Sequence, residues 1–546
     1  MNHQRPSSRW RPLAAELLAA AAGPAVLLTG LRGVLPTLKA GLWGPADPWL
    51  NVDFNGGWWL WWAGAEQAAG RDPFTRVDWP AGAESIAGVF PNPLELLALG
   101  WTLGAPTALA WNLVQLLTLL LNLLASHALM RAAGASRLAA AAGGALLAAS
   151  PVLLHEVAGG RPVTLVAWPG LLALALLARV LRRPGEAGPD EAGDGARGEA
   201  LSGRAAITAG LVAGLLAAAQ GVAYAWYGVA LLLVGATLIG GALIGGALAG
   251  GVGRRWRDAA SGPALAAAVA AGGLCVTPYL WWLLDGLAGV PMDLPPAGYT
   301  ALPLAGLWGL EVPERYWLHP LLFGASLLGL RGGGRWLAAG WVGLAIAVGP
   351  AVTWALGEPF AAGPWAWVSW AVEAANRNHH PIRATLFACP LLACALALGV
   401  DRMRWSRAVA IGVLASSVWG IGALDRVATY AQPPAPPFAE VVIPGEGAVA
   451  DVLGQRAQTA LSLQTVHGRA ITEPLWMVRA PEGFHGRLDG LSRGAAPPAG
   501  FWDALAASGV SHVLVLDRFG DAAPQVTAIV EQALGPPVTP GVYALE

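Results

Sequence analysis

Residues 107–131, TALAWNLVQLLTLLLNLLASHALMR, form one apolar run without a charged residue before Arg131. A bilayer has a hydrocarbon core of about 30 Å, and an α-helix of about 20 such residues crosses it. Similar runs recur along the 546-residue chain, which is 55% hydrophobic and only 12% charged. Soluble domains are about one quarter charged. The sequence therefore predicts an integral membrane protein that crosses the bilayer many times.

The spacing of the apolar runs predicts an all-α polytopic membrane bundle of about eleven transmembrane helices. A shorter apolar segment at 92–105 is interpreted as re-entrant or interfacial, because a span there would place the arginines that follow it on the wrong side. The predicted spans lie near 13–31, 107–131, 136–154, 162–181, 204–221, 227–251, 259–284, 316–330, 336–356, 380–400 and 407–425.

Arginine clusters in alternate connections predict the orientation. By the positive-inside rule, the side that carries them is cytoplasmic. The N-terminus and the polar, glycine-rich linker 184–203 are then cytoplasmic, whereas the first outer loop, 44–92, lies on the other side. The arginines concerned are Arg5, Arg9, Arg11, Arg131, Arg137, Arg179, Arg182, Arg183, Arg254, Arg255, Arg257, Arg331, Arg335, Arg402, Arg404 and Arg407.

The composition changes after Asp425, where a proline-rich stretch begins and no later run could cross a bilayer. We therefore predict a transmembrane domain over 1–430 and a small extracytoplasmic α/β domain over 431–546. Alternating apolar residues predict strands, and apolar residues at helical spacing predict helices. The predicted strands are 441–443, 448–453 and 512–516, and the predicted helices are 501–508 and 525–534.

Ionisable residues gather in the predicted outer connections, where such groups are costly unless they are solvated, paired or functional. A carboxylate facing a hydroxyl group can act as a general base, and arginines can hold a phosphate by charge-assisted contacts. Together these groups suggest a glycosyl-transfer site, although surface solvation or mutual pairing would also explain them. They are Asp47, Asp53, His155, Glu156, Arg161, Glu373, Arg377, His379, His380 and Arg383.

Other patterns have simpler interpretations. The tryptophans of 58–62 are expected to anchor an amphipathic helix at the membrane interface, with stacking on a sugar or a polyprenyl chain as the alternative. His379, His380 and Glu373 lack regular metal-ligand spacing, so we predict no metal site and commit to no cofactor, with a divalent metal left open. The net charge of −1 gives no sign of a nucleic-acid partner. The three cysteines lie in apolar runs and are expected to be buried.

Several short motifs of this chain, and their order, resemble those of bacterial multi-span members of the GT-C superfamily of glycosyltransferases. The first outer loop carries Asp47-Pro-Trp-Leu-Asn-Val-Asp53 and then Trp58-Trp-Leu-Trp-Trp62. The same loop continues with Gly70-Arg-Asp-Pro-Phe74 and Trp79-Pro-Ala-Gly82. Later landmarks follow in the same order, namely Ala149-Ser-Pro151 with His155, Tyr224-Ala-Trp-Tyr-Gly228 and Gln464-Thr-Val-His-Gly468.

The resemblance implies a transferase of the bacterial cytoplasmic (inner) membrane that takes a sugar from a polyprenyl-phosphate donor on the outer side. Its acceptor would be a lipid, a glycan or a protein. An aspartate of the first outer loop would serve as the base, with Asp53 the first match and Asp47 the second. The lipid phosphate would be bound by His155, Glu156, Arg161, Arg377, His379, His380 and Arg383.

Two other functions stay open at this point. A transporter or flippase of lipid-linked sugars would place charged groups near the membrane midplane and often shows internal repeats. The middles of the predicted spans here carry almost no charge, and no convincing repeat is present. A noncatalytic assembly factor whose outer domain binds a partner is the third possibility.

Overall fold

The structure is a computed structural model, and its described part is mostly helical. It describes residues 10–45, 52–77, 93–182, 201, 203–248, 261–287, 302–308, 317–349, 351–354, 361–364, 366, 381–427, 430–432, 441–453, 459–472, 484–516 and 523–545.

The α-helices of the described chain are numbered in sequence order. They are α1 (Trp10–Ala20), α2 (Ala22–Gly30), α3 (Val52–Ala68), α4 (Pro93–Leu103), α5 (Ala108–Ala133), α6 (Arg137–Ala148), α7 (His155–Ala158), α8 (Trp168–Val180), α9 (Gly203–Ala223), α10 (Ala225–Leu248), α11 (Ser261–Leu287), α12 (Pro320–Ser326), α13 (Gly334–Val348), α14 (Thr385–Asp401), α15 (Ser406–Val427), α16 (Thr459–His467), α17 (Phe484–Ser492), α18 (Phe501–Ala507) and α19 (Ala523–Leu534).

Within the described ranges, short strands form three small sheets. Strand β1 pairs with β4 and β2 pairs with β3, both antiparallel, and the third sheet has the order β5-β6-β7. In that sheet β5 and β6 are parallel, whereas β6 and β7 are antiparallel. The strands are β1 (Leu42–Gly44), β2 (Ala351–Val352), β3 (Ala361–Ala362), β4 (Tyr430–Gln432), β5 (Ala448–Asp451), β6 (Val510–Leu514) and β7 (Val542–Ala544).

The prediction of a membrane protein with several spans is confirmed. Within the described ranges, five helices are long and apolar enough to cross a bilayer, or up to six if a bent pair counts as one span. The other predicted spans coincide with shorter apolar helices, so the total of eleven stays a prediction. The five are Pro12–Gly30, Ala108–Ala133, Gly203–Ala223, Gly262–Trp281 and Pro381–Asp401, and the bent pair is Arg137–Ala148 with Pro151–Ala158.

Helix α11 presents a largely apolar outer face. Val269 and Leu274 are 76% and 77% exposed, and Cys275 is exposed beside them, so the expectation that all three cysteines are buried was wrong. Side chains of this kind are stable at the surface only if lipid covers them. The opposite face packs on α9 through glycines, because a Cβ atom at Gly210 or Gly214 would collide with the backbone of α11.

We expect Gly214→Leu to destabilise the bundle, because the new side chain would collide with the backbone of Ala268 and separate α9 from α11. Overpacking of this kind costs about 1–3 kcal/mol. The thermal unfolding midpoint of the detergent-solubilised protein should fall. Gly235→Leu is the matched control, since a Cβ atom there meets nothing within 4 Å. Equal midpoints for both variants would contradict this packing.

The C-terminal part contains the β5-β6-β7 sheet and the short helices α16 to α19. Phe501, Val513 and Val526 belong to its apolar core. The strands predicted at 448–453 and 512–516 and the two predicted helices are present, with slightly different ends. The strand predicted at 441–443 is absent, and these residues are irregular instead. That prediction was wrong because a short apolar run forms a strand only where a partner edge is available. The domain boundary near 430 stays a prediction.

Helix α3 lies between the C-terminal part and the membrane helices. The Trp59 Nε1–H donates to Gln464 Oε1 over 2.6 Å, and the Arg76 guanidinium donates to the Gly468 carbonyl oxygen over 3.0 Å. Trp59 and Trp61 are fully buried, and Trp58 and Trp62 are nearly so. The prediction of an interfacial anchor was therefore wrong, because α4, α5 and the C-terminal part cover the indoles that lipid headgroups would otherwise contact.

His467, in the motif Gln464-Thr-Val-His-Gly468, lies close to this contact. Burial, with a smaller contribution from the Arg469 charge, lowers the pKa of His467 to about 4. The ordinary pKa of histidine is about 6.5, so below that pH the unfolded chain binds a proton that the folded chain does not. The contribution of His467 to the free energy of unfolding should be constant above pH 6.5 and fall by roughly 3 kcal/mol between pH 6.5 and pH 4. Thermal unfolding across this range should show a smaller decline for His467→Asn, and an unchanged decline would contradict the assignment to His467.

Candidate active site

The structure brings together four of the residues predicted to bind a lipid phosphate. His155, Glu156 and Arg161 lie in the turn between α6 and α8, and Arg383 lies in the 3-10 helix Pro381–Ala384, immediately before α14. Asp53 is the second residue of α3. The remaining predicted site residues, together with Glu373, lie outside the described residues: Asp47, Arg377, His379 and His380.

The turn has a compact local structure. Pro151 follows the end of α6 and begins a 3-10 helix, so the chain bends by 58° before α7. Gly160 adopts a left-handed φ of +66°, a conformation that favours glycine. The Arg161 backbone N–H then donates to the Glu156 carbonyl oxygen over 3.0 Å. The turn therefore places the side chains of Glu156 and Arg161 next to each other.

The guanidinium groups of Arg161 and Arg383 both contact the Glu156 carboxylate. Arg161 Nε lies 2.9 Å from Oε2, and Arg383 Nε lies 3.1 Å from Oε1. The Thr164 hydroxyl also donates to Oε2. Glu156 is only 2% exposed, so these contacts take place away from water. Opposite charges and hydrogen bonds of this kind stabilise an ionised carboxylate at a buried position. We call Glu156, Arg161, Arg383, Thr164 and His155 the arginine cluster.

His155 occupies the edge of the arginine cluster. Its Nε2 lies 3.6 Å from Glu156 Oε1 and 3.3 Å from Arg161 Nη2. The imidazole is almost fully buried. It therefore lies within reach of both charged groups and contributes a nitrogen that can donate or accept, depending on its tautomer.

Two tyrosines at the break between α9 and α10 support the arginine cluster. Arg383 Nη1 donates to the Tyr224 hydroxyl over 2.6 Å, and the guanidinium carbon lies 5.0 Å from the centre of the Tyr224 ring. The Tyr227 hydroxyl donates to the Thr164 carbonyl oxygen. The sequence marked this break as a landmark but gave these side chains no role. The signal that could have identified them is a pair of polar aromatic side chains beside a helix break.

Buried amides hold the loop that follows Thr164. Asn122 Nδ2 donates to the Leu165 carbonyl oxygen over 2.8 Å, and its Oδ1 accepts from the Ala167 N–H over 3.1 Å. Gln220 Nε2 donates to the Val166 carbonyl oxygen over 2.7 Å. Sequence analysis missed these amides. A polar side chain within an apolar helix is costly to bury without a partner, and that cost is the signal that could have identified them.

Helix α3 begins beside the same turn. A Cβ atom added at Gly160 would lie 3.0 Å from Phe54 Cδ2, so the turn of the arginine cluster packs closely against the residue after Asp53. Within the described ranges, no group of three or more histidine, cysteine or acidic side chains could hold a metal ion. The turn that packs against the start of α3 therefore holds two guanidinium groups and one carboxylate in contact.

A comparison with solved structures identifies the architecture. Superposition on the mycobacterial arabinofuranosyltransferase AftD covers 96% of this chain with a TM-score of 0.56 and 16% sequence identity. The chain has the GT-C fold. It spans 37% of the length of AftD. Neither the family models nor the curated proteins match the sequence.

Two further solved structures match with lower scores. The Archaeoglobus fulgidus oligosaccharyltransferase is 12% identical with a TM-score of 0.47, and the match covers 93% of this chain and 70% of that one. ArnT from Cupriavidus metallidurans, bound to undecaprenyl phosphate, is 13% identical with a TM-score of 0.39. That match covers 92% of this chain and 96% of ArnT.

Proposed function

We propose that the protein is a membrane glycosyltransferase that moves a sugar from a polyprenyl-phosphate donor to a lipid, glycan or protein acceptor. One observation carries the proposal, namely that Arg161 and Arg383 converge on Glu156 beside the start of α3. The fold shared with an arabinofuranosyltransferase supports the same kind of reaction.

The arginine cluster would bind the donor phosphate. Guanidinium groups match the geometry of phosphate oxygens and stay charged when buried. Glu156 and Tyr224 hold Arg383 in one orientation, so its guanidinium would need little reorganisation when the phosphate binds. As the sugar departs, negative charge grows on the phosphate, and the two guanidiniums would stabilise it. Arg377, His379 and His380 are proposed to extend this binding site.

Asp53 would act as the general base, with Asp47 as the second candidate. The carboxylate would take the proton from the acceptor hydroxyl while the acceptor oxygen bonds to the anomeric carbon of the sugar. The bond between that carbon and the phosphate oxygen would break, and polyprenyl phosphate would leave with the electron pair. The close packing of Phe54 against Gly160 supports this role, because it places α3 against the arginine cluster.

The orientation belongs to the same proposal. The N-terminus and the linker 184–203 would be cytoplasmic, and the arginine cluster and the domain from 431 onward would face the outer side of a bacterial inner membrane. The partners would be the bilayer and the lipid-linked donor, with no nucleic acid. No step of the mechanism requires a metal or other cofactor.

Transport of lipid-linked sugars is the second candidate, and the bent helix pair favours it. Transporters often place their binding sites at discontinuous helices, and Glu156 lies on the second segment of a pair bent by 58°. A transporter would move the donor across the membrane without breaking the bond between sugar and phosphate.

Reconstitution in proteoliposomes tests the proposal. Purified protein would be supplied with a radiolabelled polyprenyl-phosphate sugar and with lipid extract from the same cells as acceptor. We expect label to appear in a glycosidic product and free polyprenyl phosphate to accumulate. Translocation of intact donor without any glycosidic product would overturn the proposal and support transport.

A further inference from the structure

Two neighbouring turns between apolar helices carry exposed arginines that the arginine cluster does not include. The first turn, residues 332–333, separates the apolar helices Pro320–Arg331 and Gly334–Val348. The second turn, residues 402–405, separates α14 from α15. We call the exposed side chains at these turns the basic surface, and its members are Leu330, Arg331, Arg402, Arg404, Trp405 and Arg407.

The two turns pack against each other through glycines. A Cβ atom added at Gly332 would lie 2.9 Å from Cγ of Arg402, so the stem of this arginine lies across the first turn. A Cβ atom at Gly333 would lie 3.1 Å from the Ala395 carbonyl oxygen of α14. Glycines allow helices to approach this closely. The basic surface is therefore one continuous patch, although its residues come from two separate segments of the chain.

Positive charge predominates on the basic surface. In the part of the chain that the structure describes, none of its four arginines pairs with a carboxylate. The adjacent acid, Asp401, accepts hydrogen bonds from the backbone N–H and the hydroxyl of Ser136 at the start of α6, each over 2.6 Å. Guanidinium groups bind phosphate oxygens by paired, charge-assisted hydrogen bonds. The basic surface therefore suits a phosphate group.

Two large apolar side chains lie among the arginines. Trp405 is 69% exposed, and Leu330 is 74% exposed. The guanidinium carbon of Arg404 lies 5.8 Å from the centre of the Trp405 ring. Tryptophan and arginine are both favoured at the level of lipid headgroups, where the apolar part of each side chain avoids water. This combination favours a phosphate that belongs to a lipid over a free phosphate ion.

The basic surface lies at one end of a candidate membrane span. Arg402 directly follows α14, which belongs to the span Pro381–Asp401, whereas Arg383 of the arginine cluster directly precedes α14. The 17 residues of α14 extend over about 26 Å, close to the hydrocarbon thickness of about 30 Å. The basic surface and the arginine cluster therefore lie at opposite ends of one span, and an anion at one end does not occupy the other.

We propose that the basic surface binds the headgroup of an anionic phospholipid in the leaflet opposite to the arginine cluster. The arginines contact the phosphate oxygens, and Trp405 and Leu330 lie against the glycerol group and the first carbons of the acyl chains. No bond is made or broken. The site is separate from the residues of the proposed reaction, so the proposal does not depend on the glycosyltransferase assignment.

Native mass spectrometry of the full-length protein, released from detergent micelles, tests the proposal. The protein is titrated with phosphatidylglycerol or with phosphatidylcholine of the same acyl chains, and the bound fraction gives a dissociation constant. Wild-type protein should bind phosphatidylglycerol more tightly. The double variant Arg402→Gln/Arg404→Gln should raise its dissociation constant about 30-fold, since each basic residue near an anionic headgroup contributes about fivefold. Arg402→Lys/Arg404→Lys keeps the charge and should lose much less affinity.

A double variant elsewhere on the chain provides the matched control. Arg71 and Arg493 are 51% and 66% exposed, and Arg71→Gln/Arg493→Gln removes the same net charge without touching the basic surface. This variant should keep the wild-type dissociation constant. The single variant Arg404→Gln should raise the constant about fivefold, and it serves if the double variant does not fold. Millimolar inorganic phosphate should not displace the lipid.

Four results would overturn the proposal. They are equal affinity for the two phospholipids, displacement of phosphatidylglycerol by inorganic phosphate, equal loss of affinity in the control variant, and an unchanged dissociation constant in Arg404→Gln. Failure of the proposed function is distinguishable, because a protein that binds phosphatidylglycerol as described but never transfers sugar would keep the basic surface and lose the transferase assignment.

Discussion

Asp53→Asn is expected to lower the rate of sugar transfer by about 10²- to 10⁴-fold, the usual contribution of a positioned general base. The amide keeps the shape of the side chain but cannot accept the proton of the acceptor hydroxyl. Binding of the donor should change little, because the arginine cluster that would hold its phosphate is intact. The measurement is the initial rate of glycoside formation in proteoliposomes, with donor binding measured separately.

Asp503→Asn is the control for this prediction. Asp503 is an exposed aspartate in the first turn of α18, so its substitution changes the net charge equally without touching α3. Wild-type rates in Asp53→Asn would exclude Asp53 as the base and move the assignment to Asp47. Reduced rates in both variants would show that the loss of charge alone is responsible.

Arg383→Lys should reduce transfer by about 10²- to 10³-fold, comparable to the loss of one donor from an anion-stabilising site. Lysine keeps the positive charge but cannot contact Glu156 and Tyr224 at once as the guanidinium does. The developing phosphate charge would then be stabilised less well. Transfer rates and the thermal unfolding midpoint should be measured on the same preparation.

Arg493→Lys is the matched control for Arg383→Lys. Arg493, the residue after α17, is exposed and pairs with Asp489 of that helix, and a single salt bridge at such a position contributes little. We expect normal transfer from this variant. If Arg383→Lys transferred sugar at the wild-type rate while remaining folded, the arginine cluster would have only a structural role.

The membrane class and the positions of most helices were predictable because they depend on local hydrophobicity. The run at 107–131 became α5 almost without change. The environment of Trp59 was not predictable, because its covering residue Gln464 is 405 positions away in the chain. Hydrophobic pattern shows that an indole avoids water but does not show whether lipid or protein covers it.

The candidate site was predictable in part for a similar reason. His155, Glu156 and Arg161 are close in sequence and stand out as charged residues at a boundary between apolar runs. The contact of Glu156 with Arg383 spans 227 positions and was suggested only by the convergence of outer loops. Thr164 and Tyr224 were missed, because their role depends on hydrogen bonds that no local pattern reveals. The catalytic roles of Asp53 and Asp47 stay predictions.

The most direct test is mass spectrometry of lipid-linked sugars and envelope glycans in a strain that lacks this protein. We expect a glycan that is one sugar shorter than normal to accumulate together with unused polyprenyl-phosphate donor. Wild-type protein should restore the normal glycan, and Asp53→Asn should not. An unaltered profile of glycans and donors in the deletion strain would contradict the assignment of this chain as a glycosyltransferase.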